Sequence, residues 1–477
     1  MEEEDTAIIM TDRYDLVIIG AGSGGLTAAG FAARLGAKVA LVEKERIGGD
    51  CTWTGCVPSK ALLKAAKVAH QVRTANDYGV CVEQPVVDMA KVRAYVRQAI
   101  EDIYRHETPD RLAEQGIEVV KGTARFLNAH TLQVGERTLS AKKFIIATGS
   151  RPFIPPVPGL SAVPYLTYEQ IFENDHLPEC LIVMGAGPIG VEIAQAYRRL
   201  GAQVALIDVG LLPREEPEVV KVMSRVFARE GLQFVEGLAT AVRQEGAEIV
   251  VNVEEQEFRG EMLLVAVGRA PNVAGLNLEQ AGVNYSPKGI PVDNKLRTNL
   301  RHIYAVGDCL LDNHQFTHLA AWQGFQAARN ALLPGSSQGF SQIVPWTTFT
   351  EPEVAHVGLT EAQARAKYGD TVRVVLREID RVDRAVCEND RDGFIKVVYK
   401  KDGRLLGATI VAERAGEAIT EFALALHHGL KLADLAATIH VYPTYSSGVQ
   451  QLAAQIVTDN FLDSWLGRVV QALRTKI

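Results

Sequence analysis

A glycine-punctuated unit occurs twice in this chain, and that repetition narrows its fold more than any other feature. Residues 17–43 read VIIGAGSGGLTAAGFAARLGAKVALVE, and residues 182–208 read IVMGAGPIGVEIAQAYRRLGAQVALID, aligned without gaps at an offset of 165. In each, an apolar strand runs into GxGxxG, a helix follows, and a second apolar strand ends in an acid. The first glycine, Gly20 or Gly185, permits the tight strand-to-helix turn. The second, Gly22 or Gly187, lets a pyrophosphate approach the backbone, and the third, Gly25 or Gly190, lets helix and strand pack closely. Glu43 lies 18 residues beyond Gly25, and Asp208 lies 18 beyond Gly190, each placed to accept from a ribose hydroxyl. One such motif is weak evidence. Two in register predict two Rossmann-like dinucleotide-binding units.

Five residues beyond the first unit begins Gly48-Gly49-Asp50-Cys51-Thr52-Trp53-Thr54-Gly55-Cys56-Val57-Pro58-Ser59-Lys60. On a regular helix, cysteines five positions apart would stand about 8 to 9 Å from each other, too far for a disulfide. Bridging them needs an irregular turn, which Gly55 and the Gly48-Gly49 pair can supply. So short a loop adds little chain-entropy stabilisation, so the bridge is expected to work rather than to staple. Cys81, Cys180, Cys309 and Cys387 have no framework or metal-ligand spacing and are expected to be buried small hydrophobes, with no metal site. One reactive pair among otherwise free thiols suits a reducing cytosol.

Composition excludes several classes. The 477 residues, 47% of them hydrophobic, support roughly three or four domains. A net charge of −7 argues against a nucleic-acid partner, since phosphate binding needs a basic field. The acidic start precedes no long apolar core, so no signal peptide is expected, and residues 1–9 read as an extension. No run approaches the ~20 apolar residues of a membrane span.

Two dinucleotide units and a working disulfide suggest an electron path. The order nicotinamide, flavin, disulfide makes chemical sense, because a flavin converts hydride transfer into thiol-sized steps. The first unit leads straight into the cysteines and is expected to hold FAD; the second is expected to hold NAD(P)H. With these residues in view, the chain resembles the class I pyridine nucleotide–disulfide oxidoreductases, the group of dihydrolipoamide dehydrogenase, glutathione reductase and mercuric reductase. Further segments carry the likeness: Ala147-Thr148-Gly149, Val265-Ala266-Val267-Gly268-Arg269-Ala270-Pro271-Asn272, Tyr304-Ala305-Val306-Gly307-Asp308, and residues 349–360 at the entry to a dimerisation domain. Read alone, Asp308 could equally be a helix N-cap.

The resemblance implies an α/β fold of two Rossmann-like domains, for FAD and NAD(P), plus a C-terminal α+β dimerisation domain. Its expected boundaries are 1–155 for the first FAD segment with the redox pair, 156–283 for the NAD(P) domain, 284–345 for the second FAD segment and 346–460 for the dimerisation domain. Gly49, Thr148, Gly149, Gly307 and Asp308 are then expected at the flavin, and Gly268 at the exit from the NAD domain. Cys56 would be the flavin-side thiol, Cys51 the interchange thiol, and Lys60 would pair with Glu192 beside flavin and nicotinamide. A helix N-terminus opening around Pro58 would favour the thiolate. Asp208 accepts from a 2′-hydroxyl and repels a 2′-phosphate, favouring NADH, while Arg214 keeps NADPH open.

One departure is informative. Thiol–disulfide members of the family carry His-x-His-Pro-Thr and then a glutamate, and the second histidine serves the interchange thiol of the other subunit. Here the segment reads His440-Val441-Tyr442-Pro443-Thr444-Tyr445-Ser446-Ser447. His440 matches the first histidine, Tyr442 replaces the second, and Ser447 replaces the glutamate. Tyrosine, with a reference pKa near ~10, is a poor base at neutral pH. His440 shares Tyr442's face if the segment is extended, and is a candidate stand-in. Mercuric reductases also place a tyrosine here, and soft thiolates suit a soft metal ion. This chain, however, shows no N-terminal Cys-x-x-Cys module and no vicinal cysteines in its tail. The expected acceptor is therefore a metal ion or a disulfide such as lipoamide, reduced by a cytoplasmic homodimer with a site shared across the interface. A quinone- or oxygen-reducing flavoenzyme and a non-enzymatic redox sensor are the alternatives. Residues 461–477 are expected to form a terminal amphipathic helix, with Phe461, Leu462, Trp465, Leu466, Val469, Val470 and Leu473 on one face. Packing on its own dimer is the expectation, and a membrane surface is the alternative suggested by its basic residues.

Overall fold

The computed structural model describes residues 11–474, so the whole N-terminal extension, residues 1–9, and Lys476 lie outside the described residues. Each repeat folds as strand, helix and strand. The first is Thr11–Ile19, Ser23–Arg34 and Val39–Glu43; the second is Cys180–Met184, Pro188–Leu200 and Gln203–Asp208. Their strands pair in parallel and read as continuous apolar runs because both faces are covered. Leu16, Val17, Ile18 and Leu41 are fully buried as a result.

In the first sheet the strand order is Ile117–Lys121, Val39–Glu43, Thr11–Ile19, Arg137–Ile146, Thr131–Val134 and Ala124–Asn128, and Ile303–Ala305 also pairs with Arg137–Ile146. That last strand arrives from far downstream. The chain therefore leaves the first sheet, builds the second unit and returns. The second unit has four parallel strands, in the order Gln233–Glu236, Gln203–Asp208, Cys180–Met184 and Met262–Val265, with a three-stranded antiparallel sheet beside them. Its entrance and exit are stitched together: Ser150–Pro152 pairs with Arg269–Pro271, and Thr148 Oγ1 donates to the Asn272 carbonyl at 2.6 Å.

A five-stranded antiparallel sheet, Trp346–Thr348, Glu353–Gly358, Leu405–Ala412, Phe394–Lys400 and Val372–Glu378, closes the chain. The helices Ala415–His428 and Tyr445–Leu462 cover it through Ile419, Phe422, Val449 and Leu452. Lys396 of this sheet is buried between Glu216 (3.3 Å), Glu218 (2.8 Å) and Glu361 (2.9 Å), a cluster that joins it to the second unit. A buried ammonium without such partners would carry a large desolvation cost.

Two expectations are corrected. The terminal helix is Trp465–Arg474, because Phe461 and Leu462 end the preceding helix. Ser464 Oγ accepts from Gly467 N at 3.1 Å, and a Cβ on Gly467 would lie 2.1 Å from the Phe461 carbonyl, so the chain turns tightly there. The helix docks through Gly467 and leaves Trp465, Leu466 and Leu473 exposed in the protomer. Among the other cysteines, Cys309 is buried and Cys180 half-buried, but Cys81 and Cys387 are exposed, so they are not core hydrophobes. Among the described residues, no helix is long and apolar enough to cross a membrane.

Candidate active site

The two glycine turns are built alike. Gly20 has φ +104°, and a Cβ on it would lie 2.3 Å from the Ala147 carbonyl; on Gly25 it would lie 1.9 Å from the Gly20 carbonyl. Gly185 (φ +108°) and Gly190 repeat this, with 2.4 Å to the Ala266 carbonyl and 1.8 Å to the Gly185 carbonyl. Gly22 and Gly187 differ: a Cβ there would meet nothing within 4 Å. Each borders open space at the N-terminus of a helix of twelve or more residues, where backbone N–H groups and the helix dipole favour phosphate. Glu43 Oε2 accepts from Ala21 N at 2.8 Å and Asp208 Oδ2 from Ala186 N at 2.7 Å, so each acid is anchored beside its turn. A cavity of about 670 Å³ opens next to Glu43, walled by Arg46, Trp53 and Tyr104.

These residues fit two dinucleotides. Gly22 has φ −81° and ψ −171°, a conformation any residue adopts, so a side chain there projects into open space and not into the fold. Gly22→Val is expected to purify folded, by circular dichroism, with flavin content reduced at least ~10-fold. Retention of full flavin absorbance would contradict this placement.

The cysteine segment folds as a broken helix. Gly49–Trp53 forms one short turn carrying Cys51, the helix interrupts at Thr54 and Gly55, and Cys56 opens a new helix, Cys56–Thr74. Gly48 (φ +101°) and Gly49 (φ +57°) swing the chain into this turn. The interruption brings the two unbridged thiols into hydrogen-bonding contact, which a continuous helix would prevent. Cys56 stands at the helix N-terminus, 3.2 Å from Thr317 Oγ1. The hydrogen bond from Cys51, with help from Thr317 and the Lys60 charge, outweighs desolvation and holds the Cys56 thiol below the ordinary thiol value. The Cys51 thiol is pushed up by donating to Cys56 and by burial. The reduced pair is thus asymmetric: Cys56 is the thiol that gives up its proton more readily, and Cys51 the one that keeps it.

Around this pair, Lys60 Nζ donates to Glu192 Oε2 at 2.9 Å. Glu192 is buried in the second unit's helix, and its other oxygen accepts from Phe349 N at 2.8 Å. The Lys60 ammonium lies 4.2 Å over the Phe349 ring. Asp308 sits in the short turn Gly307–Cys309, where its Oδ2 accepts from Ser150 Oγ at 2.9 Å. It caps no long helix, since the next one is Thr317–Leu332. Gly149 (φ +67°) and Gly268 (φ +147°) flank the stitched crossing between the units, and both border open space.

Sequence reading missed several participants. Thr317 reaches Cys56 from 261 residues away. Arg269 ion-pairs with Asp50, and its Nε–H is buried with no protein acceptor. No local spacing could have revealed either contact.

The Tyr442 segment is arranged differently from the expectation. Tyr442 is 64% exposed and donates to Asp383 Oδ2 at 2.6 Å, a bond that raises its phenol further above the ordinary tyrosine value. The His440 side chain is tucked in. Its Nδ1 meets the Thr438 carbonyl at 2.8 Å, and its Nε2 meets Glu421 Oε1 at 2.5 Å. The segment is not a strand, and His440 and Tyr442 are each engaged by different partners within the protomer. Ser447 is buried in the cap of the Tyr445–Leu462 helix, donating to the Thr444 carbonyl at 2.6 Å. Ile439 and Val441 are 95% and 78% exposed, an apolar edge suited to a second protein surface.

Comparison with known proteins agrees with this geometry. The family model for pyridine nucleotide-disulphide oxidoreductases matches residues 14–331, and the model for their dimerisation domain matches residues 344–453. A mercuric reductase of Bacillus cereus is 34% identical over 461 residues, covering 94% of this chain and 73% of the relative. A dihydrolipoyl dehydrogenase of Haloferax volcanii is 36% identical over 457 residues, covering 92% and 95%. Among solved structures, the Cu(II) complex of the HOCl-induced flavoprotein disulfide reductase RclA from Escherichia coli superposes with TM-score 0.84 at 27% identity, covering 93% of this chain and all of that one. LpdA from Mycobacterium tuberculosis gives TM-score 0.85 at 28% identity, covering 94% and 100%. The repeated dinucleotide turns, the cysteine pair between them and the dimerisation domain thus have one source: the chain belongs to the pyridine nucleotide–disulphide oxidoreductases, FAD-dependent enzymes that use NAD(P)H.

Proposed function

We propose that this enzyme takes electrons from NADH and passes them through Cys51 and Cys56 to a thiol-reactive acceptor, a soft metal ion ahead of a disulfide. The observation that carries the choice of acceptor is the occupied state of the Tyr442 region. Tyr442 donates to Asp383 and both His440 ring nitrogens are engaged, so neither offers a free base for disulfide exchange.

The Gly22 turn and Asp308 would hold FAD, which when bound would supply two-electron exchange between nicotinamide and disulfide. The protein's own groups do the rest. Reducing the Cys51–Cys56 disulfide takes two electrons and one proton, leaving a thiol at Cys51 and a thiolate at Cys56. Thr317 and the charge on Lys60 favour that thiolate. Glu192 keeps Lys60 in place at 2.9 Å. A soft metal ion binds thiolates directly, and the proton that Cys51 releases goes to water. A disulfide acceptor instead needs a positioned base to deprotonate Cys51 and an acid for the leaving thiol. Asp208, anchored at the end of its strand, favours a free 2′-hydroxyl and hence NADH, while Arg214 is exposed. The dimerisation domain supports a homodimer, with Tyr442 of one protomer facing Cys51 of its partner.

The test is NADH oxidation by the purified yellow protein with lipoamide or with thiol-complexed Hg(II). Metal-dependent turnover is expected, with lipoamide at least ~10²-fold slower than in a histidine-bearing family member. Lipoamide rates equal to that member's would sink the metal-ion reading.

A further inference from the structure

Arg269 opens the strand Arg269–Pro271, by which the second dinucleotide unit returns to the first. Its guanidinium gathers two carboxylates from distant parts of the chain. It ion-pairs with Asp50, the residue directly before Cys51, and lies 3.4 Å from Asp308 Oδ2. Tyr168 completes the cluster: its hydroxyl donates to Asp50 Oδ2 at 3.3 Å, and its ring lies 5.1 Å from the guanidinium carbon.

Electrostatics gives this cluster a consequence. A carboxylate adjoining a cysteine pair opposes reduction when the reduced pair carries a thiolate, because like charges repel. Lys60, paired with Glu192 at 2.9 Å, acts on Cys56 and not on Asp50. Arg269 is the cation that offsets Asp50, and its field extends to Cys56.

We infer that Arg269 is a positioning residue for the redox pair: it ties the Gly49–Trp53 turn to the second unit's return strand and neutralises Asp50, and so sets how readily the Cys51–Cys56 disulfide is reduced. The inference rests on the reading of these cysteines as a reversible disulfide. It extends that reading by adding a residue outside the cysteine segment whose charge tunes the equilibrium.

The experiment equilibrates the holoenzyme in glutathione redox buffers, where one disulfide and two glutathione thiols exchange for the dithiol and oxidised glutathione. Thiols are trapped by alkylation, and the Cys51 and Cys56 peptides are quantified by mass spectrometry. Arg269→Met is expected to shift the equilibrium toward the disulfide roughly tenfold, about 30 mV more negative in potential. Arg269→Lys should restore most of the shift. Asp50→Asn should move the equilibrium the opposite way, toward the dithiol, and the double variant should return near the parent. A merely structural role would change flavin content or melting without this pair of opposite shifts. An unchanged equilibrium in Arg269→Met overturns the inference. If that variant does not fold, an unchanged equilibrium in Asp50→Asn does the same. Cysteines that stay alkylatable in every buffer overturn the disulfide reading itself, and Arg269's role falls with it; a pair that titrates normally but ignores both substitutions overturns Arg269's role alone.

Discussion

Cys51→Ser should stop reduction of metal-ion or disulfide acceptors while NADH still bleaches the bound flavin. The loss expected is roughly a thousandfold or more, the scale on which removal of a reacting nucleophile acts. The reason is local. Cys51 is the half-buried thiol of the asymmetric pair, raised by its bond to Cys56, and a serine there can donate the same hydrogen bond but can neither carry electrons nor bind a soft metal. Cys56 keeps Thr317 and Lys60, so its thiolate should survive the change. The glycine turns and the Lys60–Glu192 pair lie outside the substitution, so flavin binding and reduction by NADH should be retained. The decisive comparison is stopped-flow flavin reduction against steady-state acceptor turnover in one preparation. Near-parental turnover with a quinone or oxygen would show that the disulfide is auxiliary and that the flavin itself is the donor. Loss of both half-reactions would point to collapse of the turn and would be resolved with Cys51→Ala.

The fold was legible because the repeat encodes it locally. Gly20, Gly22 and Gly25 state their roles in spacing alone, and the structure gives each the environment that spacing implies: a carbonyl 2.3 Å from a would-be Cβ, open space, and a carbonyl at 1.9 Å. The need for an irregular turn between Cys51 and Cys56 was equally legible, since helical geometry forbids their contact otherwise. What could not be read is long-range. Thr317, Arg269 and Asp383 meet Cys56, Asp50 and Tyr442 only because strands and helices far apart in sequence share a site. The surroundings of His440 are long-range in the same way. Strand alternation says nothing of Glu421, which meets the imidazole from the helix Ala415–His428. Apolar periodicity runs on across Asp463 and Ser464 and so predicts a terminal helix from Phe461, whereas the backbone breaks there and the helix begins at Trp465.

Tyr442→His should create lipoamide turnover where the parent has little, a gain of roughly 10- to 100-fold in kcat/KM. Imidazole titrates near neutrality, so it can take the Cys51 proton and return one to the leaving thiol, which a phenol raised above its usual value cannot do. The missing glutamate raises the question of what would orient the ring. Ser447, at the matching position, is buried in a helix cap and is not available. Asp383 is. Its Oδ2 already accepts the Tyr442 hydroxyl at 2.6 Å, and it should accept one imidazole N–H in the same way, turning the other nitrogen outward toward the partner's site. Adding Asp383→Asn to Tyr442→His should therefore forfeit most of the gain, while the same change in the parent should leave metal-ion turnover nearly unaltered. The gain should rise with pH through the imidazole range, since the base must be unprotonated before Cys51 can be deprotonated. A Tyr442→His variant that binds flavin, dimerises and still fails with lipoamide would mean that proton transfer is not the barrier. Access of the disulfide to Cys51 would then set the choice of acceptor.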